Sequence, residues 1–363
     1  MTDQEEKDVS ATNQDFKKFD QVTKEQTYRL ASNEDHDTFD DEYEIEVCDL
    51  SEYVLGNEDA RHRFSQSLGR AFEDIGFAIL TNHGVDPGLF DSSNEKIIEF
   101  FEQATTVDQR MKYVAARHGS VKQGYFPIKE TSEIHPDLVE GWVFCRRAFN
   151  FDGDPEFCEH DIFWPAAGFE PFFRNVCIEY QKIVLPTMQS ILQYLNCDPH
   201  LYDEKLTNSN FGLRFNYYPP ISDEDDATGA GRILGHEDVD LFTILPAPSI
   251  EGLQALHRRS NKWIRLKPPA GSIIINTGDY MQRITNDRFP STTHRVAKPR
   301  DKSLFEKPRV SLPMAVYVWE NEMLEVLPGC GPPKYEPISA IKFHTHSTSK
   351  FYGEAYAVDE TDE

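Results

Sequence analysis

The sequence is short of positive charge. Its 363 residues carry 37 Lys+Arg against 62 Asp+Glu, a formal net charge of −25. Neutralising phosphates needs a Lys/Arg surplus, so broad nucleic-acid binding is excluded, and docking on an anionic membrane is disfavoured on the same ground. Long apolar runs are also missing: none approaches the roughly 18 residues of a membrane span. The opening MTDQEEKDVSATNQDF has no basic start followed by an apolar stretch, so no secretory signal is expected. Cysteine is sparse and scattered, at positions 48, 145, 158, 177, 197 and 330, with no Cys-x-x-Cys pair. That pattern suits structural thiols in a reducing compartment, and a cytoplasmic location follows as the default. There is no repeat at solenoid periods and no Pro/Gly/Ser linker.

What the chain does have is aromatic bulk. It holds 25 Phe and 15 Tyr, and 39% of its residues are hydrophobic. A chain of this length and composition can bury a sizeable core. The acidity is concentrated at the ends: residues 1–45 carry a net −9 and residues 351–363 a net −5. Residues 1–45 have few aliphatic side chains and no sustained period, and read as an acidic, flexible arm. Residues 351–363 read as an acidic tail.

Between them the texture changes once. Ala60, Phe64, Leu68, Ala71 and Phe72 recur at steps of three and four, which predicts an amphipathic helix. A short apolar strand at Gly76–Leu80 follows, then the turn signal Asn82-His-Gly84. Further helices are expected over about 88–103 and from Pro171 to about Leu195, where Pro186 suggests a kink. After about 205, short β-rich runs alternate with turns: Gly212–Tyr218, Asp240–Leu245, Gly252–His257, Ile273–Asn276, Ser291–Ala297 and Arg309–Trp319. Such spacing suggests a sandwich or barrel, for which a jelly roll is one solution. The expected organisation is a β-rich α+β chain: an N-terminal helical region with early strands over 46–205, a β-region over 206–350, and one catalytic unit formed by the two.

The sharpest feature is His236-Glu-Asp238. On a strand, residues i and i+2 share a face, so His236 and Asp238 could offer an imidazole and a carboxylate to one metal ion. His294 lies in another strand-like run. Two His and one carboxylate make the facial triad of non-haem Fe(II) oxygenases, which leaves the opposite coordination face open. Strand parity turns Glu237 away from such a metal. Arg309-Val-Ser311 places a guanidinium fork and a hydroxyl on one strand face, which suits capture of a carboxylate. In Leu213–Tyr218, the residues Arg214, Asn216 and Tyr218 share one face, and Leu213, Phe215 and Tyr217 the other.

His236-x-Asp238, His294 and Arg309-x-Ser311, in that order and spacing, resemble the Fe(II)/2-oxoglutarate-dependent dioxygenases of the isopenicillin N synthase-like group. Asn216-Tyr-Tyr-Pro-Pro220, Gly252-Leu-Gln254, Asn276-Thr-Gly-Asp279 and Gly76–Gly84 add to the likeness, which covers roughly residues 45–345. The chain departs from plant members at Glu237, in the acidic segment Ile221–Gly235, and after Ser311. The resemblance implies a double-stranded β-helix, or jelly roll, with flanking N-terminal and packing helices. It implies Fe(II) held by His236, Asp238 and His294. It further implies 2-oxoglutarate held at its distal carboxylate by Arg309 and Ser311 and at its other end by Asn216 and Tyr218.

The activity so implied is oxidative decarboxylation of 2-oxoglutarate with O2, to succinate and CO2, coupled to hydroxylation or desaturation of a small organic molecule by a monomer or small oligomer. Tyr125, Phe126, Trp142 and Phe144 are candidate substrate contacts, with Arg146 or Arg147 reading a carboxylate. His344-Thr-His346 has metal-like spacing but falls past the β-region. Two alternatives remain: an isopenicillin N synthase-like oxidase that does not use 2-oxoglutarate, and a non-catalytic binding protein on the same scaffold.

Overall fold

The computed structural model describes residues 20–24, 37–129, 137–151, 164–227 and 231–359. Among them, two sheets carry the architecture. The larger uses β1 (Val47–Asp49), β2 (Phe77–Thr81), β3 (Ala116–His118), β4 (Val121–Phe126), β5 (Glu140–Cys145) and β6 (Asn210–Tyr218). The smaller begins with β7 (Ile233–His236); β8 (Phe242–Pro246) returns to the larger sheet. Next come β9 (Leu253–His257), β10 (Lys262–Arg265), β11 (Ile273–Thr277), β12 (His294–Val296), β13 (Arg309–Ser311) and β14 (Met314–Tyr317). The larger sheet runs β1-β2-β11-β8-β14-β6-β5-β4-β3, with β13 also on β6, and the smaller runs β10-β9-β12-β7. Early strands therefore join late ones in one sheet, and no structural division falls at residue 205: β5 pairs along β6, from Glu140 opposite Tyr217 to Cys145 opposite Gly212. The arrangement is the expected jelly roll.

Four long helices flank it: α1 (Glu58–Ile75), α2 (Pro87–Glu99), α3 (Phe169–Tyr194) and α4 (Ala340–Tyr352). The Asn57 side chain accepts from the Ala60 N–H and starts α1; Gly76, at φ 71°, ends it. A Cβ on Gly76 would come within 2.5 Å of the Pro290 carbonyl, so this turn into β2 needs glycine. Phe64, Leu68 and Phe72 on the inner face of α1 are essentially inaccessible, each contributing about 2 kcal/mol by burial. α3 runs unbroken past Pro186, whose carbonyl accepts from Ser190 Oγ at 2.6 Å. Arg309–Trp319, read as one strand, is two strands, β13 and β14, on successive stretches of β6. Cys48, Cys145, Cys177, Cys197 and Cys330 are free thiols; Cys158 lies outside the described residues.

The flexible-arm expectation fails for the described parts of 1–45. Val22 is buried in the core, Lys24 Nζ meets Asp279 at 2.6 Å, Asp20 faces Lys350 at 3.3 Å, and Asp37 meets Arg295 at 2.7 Å. Acidic composition hides the reason, because these carboxylates are matched to buried cations far along the chain. Residues 1–19 and 25–36 lie outside the described residues. Of the acidic tail, Val358 donates its N–H to Thr345 Oγ1 on α4.

Candidate active site

Between the sheets lies a cavity of about 250 Å³. β7 and β12 pair antiparallel with His236 directly opposite His294, and the ring centroids are 4.4 Å apart. With its proton on Nδ1, each ring donates to the carbonyl two residues before it, His236 to Leu234 at 2.8 Å and His294 to Thr292 at 3.1 Å. That tautomer turns both Nε2 lone pairs to Asp238, 3.7 and 3.8 Å from its Oδ1. The three ligand atoms lie within 4.8 Å of one another. Burial, reinforced by His294, pushes the His236 pKa down to about 4, so the ring is neutral at pH 7, as a metal ligand must be.

The strand carrying His236 ends there, so Asp238 stands in the connection to β8 rather than at the i+2 position of a strand. Its placement comes from other elements. Asn276 Nδ2 donates to Asp238 Oδ2 at 2.8 Å and Thr243 Oγ1 at 2.7 Å; the Asp279 N–H holds its carbonyl at 2.8 Å. Burial alone would raise the Asp238 carboxyl, but the two imidazoles and these hydrogen bonds hold it below the ordinary range. Behind it, burial and the Asp238 charge drive the Asp240 carboxyl well up. Protonated, Asp240 can donate to Thr243 Oγ1, 2.6 Å away, leaving the Thr243 proton for Asp238. Asn276 was legible only as part of the family likeness, and Thr243 carried no signal.

Strand parity does not decide Glu237, because β7 ends at His236; its carboxylate is matched to groups other than the proposed ligands. It is 2% exposed, accepts from Thr293 Oγ1, and lies 3.9 Å from Lys350 of α4. Lys350 reaches Asp20, and Lys24 reaches Asp279, so a buried charged group joins the N-terminal segment, α4 and the connection bearing Asp238.

The second half of the cavity follows from the β6–β13 register, which sets Arg309 opposite Tyr218 and Ser311 opposite Asn216. Asn216 Nδ2 donates to Ser311 Oγ at 3.3 Å, and the Tyr218 hydroxyl is 3.4 Å from the same atom. The Arg309 guanidinium carbon is 4.7 Å from the Tyr218 ring centroid. Arg309 is 1% exposed; its Nε donates to the Ile250 carbonyl at 3.1 Å, and its Nη1 has no hydrogen-bond partner among the described residues. Asn216 and Tyr218, assigned from the resemblance to the other end of 2-oxoglutarate, thus both stand beside Ser311. Alternation along β6 holds: Arg214, Asn216 and Tyr218 line the cavity, while Leu213, Phe215 and Tyr217 are core.

The candidate substrate residues divide by strand parity. Phe126 and Val143 line the cavity, and Tyr125, Trp142 and Phe144 do not. Tyr125 donates to Glu140 at 2.7 Å, Trp142 packs edge-on to Phe100 at 5.3 Å, and Phe144 stacks on Trp164 at 4.2 Å. Arg147 pairs with Glu320 at 2.7 Å, and neither it nor Arg146 lines the cavity. His344, Thr348 and Tyr352 of α4 do line it; their spacing of four is the helical signal that would have found them. Among the described residues His344 joins no metal cluster.

Comparison with known proteins agrees with this geometry. Residues 209–316 match the family model of the 2OG-Fe(II) oxygenase superfamily, and residues 45–167 match the non-haem dioxygenase in morphine synthesis N-terminal region. The chain is 30% identical over 271 residues to the 2-oxoglutarate-dependent dioxygenase citB of Monascus ruber, covering 69% of this chain and 79% of that protein. It is also 30% identical over 326 residues to the 1-aminocyclopropane-1-carboxylate oxidase homolog 9 of Arabidopsis thaliana, covering 86% and 82%. Among solved structures, a putative 2OG-Fe(II) oxygenase family protein of Caulobacter crescentus superposes with a TM-score of 0.68 at 29% identity, over 82% of this chain and 96% of that one. A full-length Neurospora crassa protein, solved with alpha-KG and thymine, shares the fold at a TM-score of 0.72 and 22% identity, over 89% and 99%. The chain belongs to the 2OG-Fe(II) oxygenase superfamily and is an oxidoreductase of the kind that uses Fe(II), 2-oxoglutarate and O2.

Proposed function

We propose that His236, Asp238 and His294 hold the Fe(II) of a 2-oxoglutarate-dependent dioxygenase that hydroxylates or desaturates a small organic molecule. The carrying observation is the convergence of two Nε2 atoms and one carboxylate oxygen within 4.8 Å of one another, with no other metal cluster among the described residues. Two imidazoles and one carboxylate suit Fe(II) and leave coordination positions free. When bound, iron and 2-oxoglutarate supply the oxidising chemistry, with succinate and CO2 as the by-products.

The chain's own task is placement. Arg309 presents a buried guanidinium with an unused N–H, and Ser311 a hydroxyl, for the distal carboxylate. Tyr218 belongs at that same end, because its ring lies against Arg309; Asn216 orients Ser311. Asn276 and Thr243 fix the Asp238 carboxylate, leaving Oδ1 for the metal. Phe126, Val143 and Tyr352 give the remaining wall an apolar body, and the volume lies just below the usual range for small-molecule sites, so the substrate is small. Free, mostly buried cysteines support a cytoplasmic setting.

Fe(II) followed by 2-oxoglutarate, added without oxygen, is expected to give a visible charge-transfer band. Iron binding without that band refutes the cosubstrate assignment. Undiminished iron binding in His236→Ala or Asp238→Ala refutes the triad.

A further inference from the structure

Arg232, four residues before His236, has no part in the roles above. It is fully buried. Its backbone N–H donates to the Val296 carbonyl at 3.0 Å, yet none of its three guanidinium nitrogens meets a hydrogen-bond partner among the described residues. Its guanidinium carbon lies 5.7 Å from the Tyr218 ring centroid, on the same ring that Arg309 approaches to 4.7 Å. Burial pulls its pKa to about 10; Arg309 adds to the fall and Tyr218 opposes it, and no carboxylate is among the groups acting on it.

Two buried guanidinium groups on one aromatic ring, with no acid paired to either among the described residues, are a costly way to fill space. An apolar side chain of that length would pack there without the desolvation and repulsion. The arrangement makes physical sense once an anion is present. We propose that Arg232 supplies a second positive charge to the distal carboxylate of 2-oxoglutarate, making that end a two-guanidinium site. Arg232 is not among the residues lining the cavity, so it acts by charge through the buried surroundings of Tyr218, where screening is weak. It is a positioning residue. The inference rests on the proposed reading of Arg309 and Ser311.

The test is calorimetric titration of the Fe(II)-loaded full chain, without oxygen, with 2-oxoglutarate and with pyruvate, a 2-oxo acid lacking the distal carboxylate. Arg232→Met is expected to weaken 2-oxoglutarate roughly ten- to hundredfold and leave pyruvate unchanged. The melting temperature of the ligand-free variant should hold or rise, because an unpaired buried charge is gone. Arg232→Gln carries the same expectation if Met prevents folding. Unchanged 2-oxoglutarate affinity, or equal losses for both acids, overturns the proposal. Arg309→Met is run alongside. Should it weaken 2-oxoglutarate while Arg232→Met does not, this inference falls alone. Should Arg309→Met leave the affinity unchanged, the reading of the distal site falls, and this inference with it.

Discussion

Replacing Lys350 with Met removes one ammonium from a buried group that, among the described residues, holds five charges. Lys350 and Glu237 have side chains only 1% exposed and stand 3.9 Å apart; Asp20, 7% exposed, is 3.3 Å from the same nitrogen. Lys24 and Asp279 complete the group. The substitution keeps the length and packing of the stem while taking away the ammonium that Asp20 and Glu237 share. Breaking a buried pair by removing one partner costs about 3–5 kcal/mol. At about 2.1 cal/mol/K per residue, a chain of 363 residues unfolds with an entropy near 0.76 kcal/mol/K, so the melting temperature should fall by about 4–7 °C. Because Glu237 lies between two proposed iron ligands, iron affinity should fall as well, with no ligand altered. Thermal denaturation followed by circular dichroism and a metal titration measure both effects. The double variant Glu237→Gln, Lys350→Met should lose less than the sum of the singles. A melting temperature within about 1 °C of the parent would refute the argument that this group holds the site in shape.

His344 is buried, pushed down to about 3 by that burial, and touches Tyr280 through its Nδ1 at 3.3 Å. The unfolded chain takes up a proton near the ordinary histidine pKa and the folded one does not. Its contribution is therefore fully present above about pH 6.5 and lost toward pH 3, at up to about 1.4 kcal/mol per pH unit. His344→Phe should flatten that part of the stability–pH curve measured by denaturant titration, and an unaltered slope would contradict the burial. Asn276→Ala deletes the 2.8 Å hydrogen bond to Asp238; metal affinity should fall about 10–100-fold with little change in fold by circular dichroism.

Local periodicity carried much of this molecule in plain view. The step of three and four in α1 and the alternation in β6 both follow from one face being buried, so parity alone separates Arg214, Asn216 and Tyr218 from Leu213, Phe215 and Tyr217. At β4 and β5 the four aromatics are grouped without such parity: a run of aromatics offers apolar surface on both faces, and only cross-sheet packing decides that Phe126 faces the cavity and Trp142 the core. Asp238 was found for a reason that does not hold, since its strand ends at His236 and its aim depends on Asn276 and Thr243 from other strands. The buried pairings of residues 20–24 and 37 were illegible for a further reason. Asp20, Lys24 and Asp37 pair with residues more than 250 positions away, and composition registers only that the segment is acidic.

The carbonyls that fix the imidazole tautomers belong to Leu234 and Thr292, and they act through backbone alone. Side-chain replacement at either position leaves that carbonyl in the backbone, so the acceptor for an Nδ1 proton does not depend on the side chain that stands there. The orientation of both nitrogen donors is thereby insulated from point mutation. A survey of single substitutions would find the histidines indispensable and the groups that orient them silent.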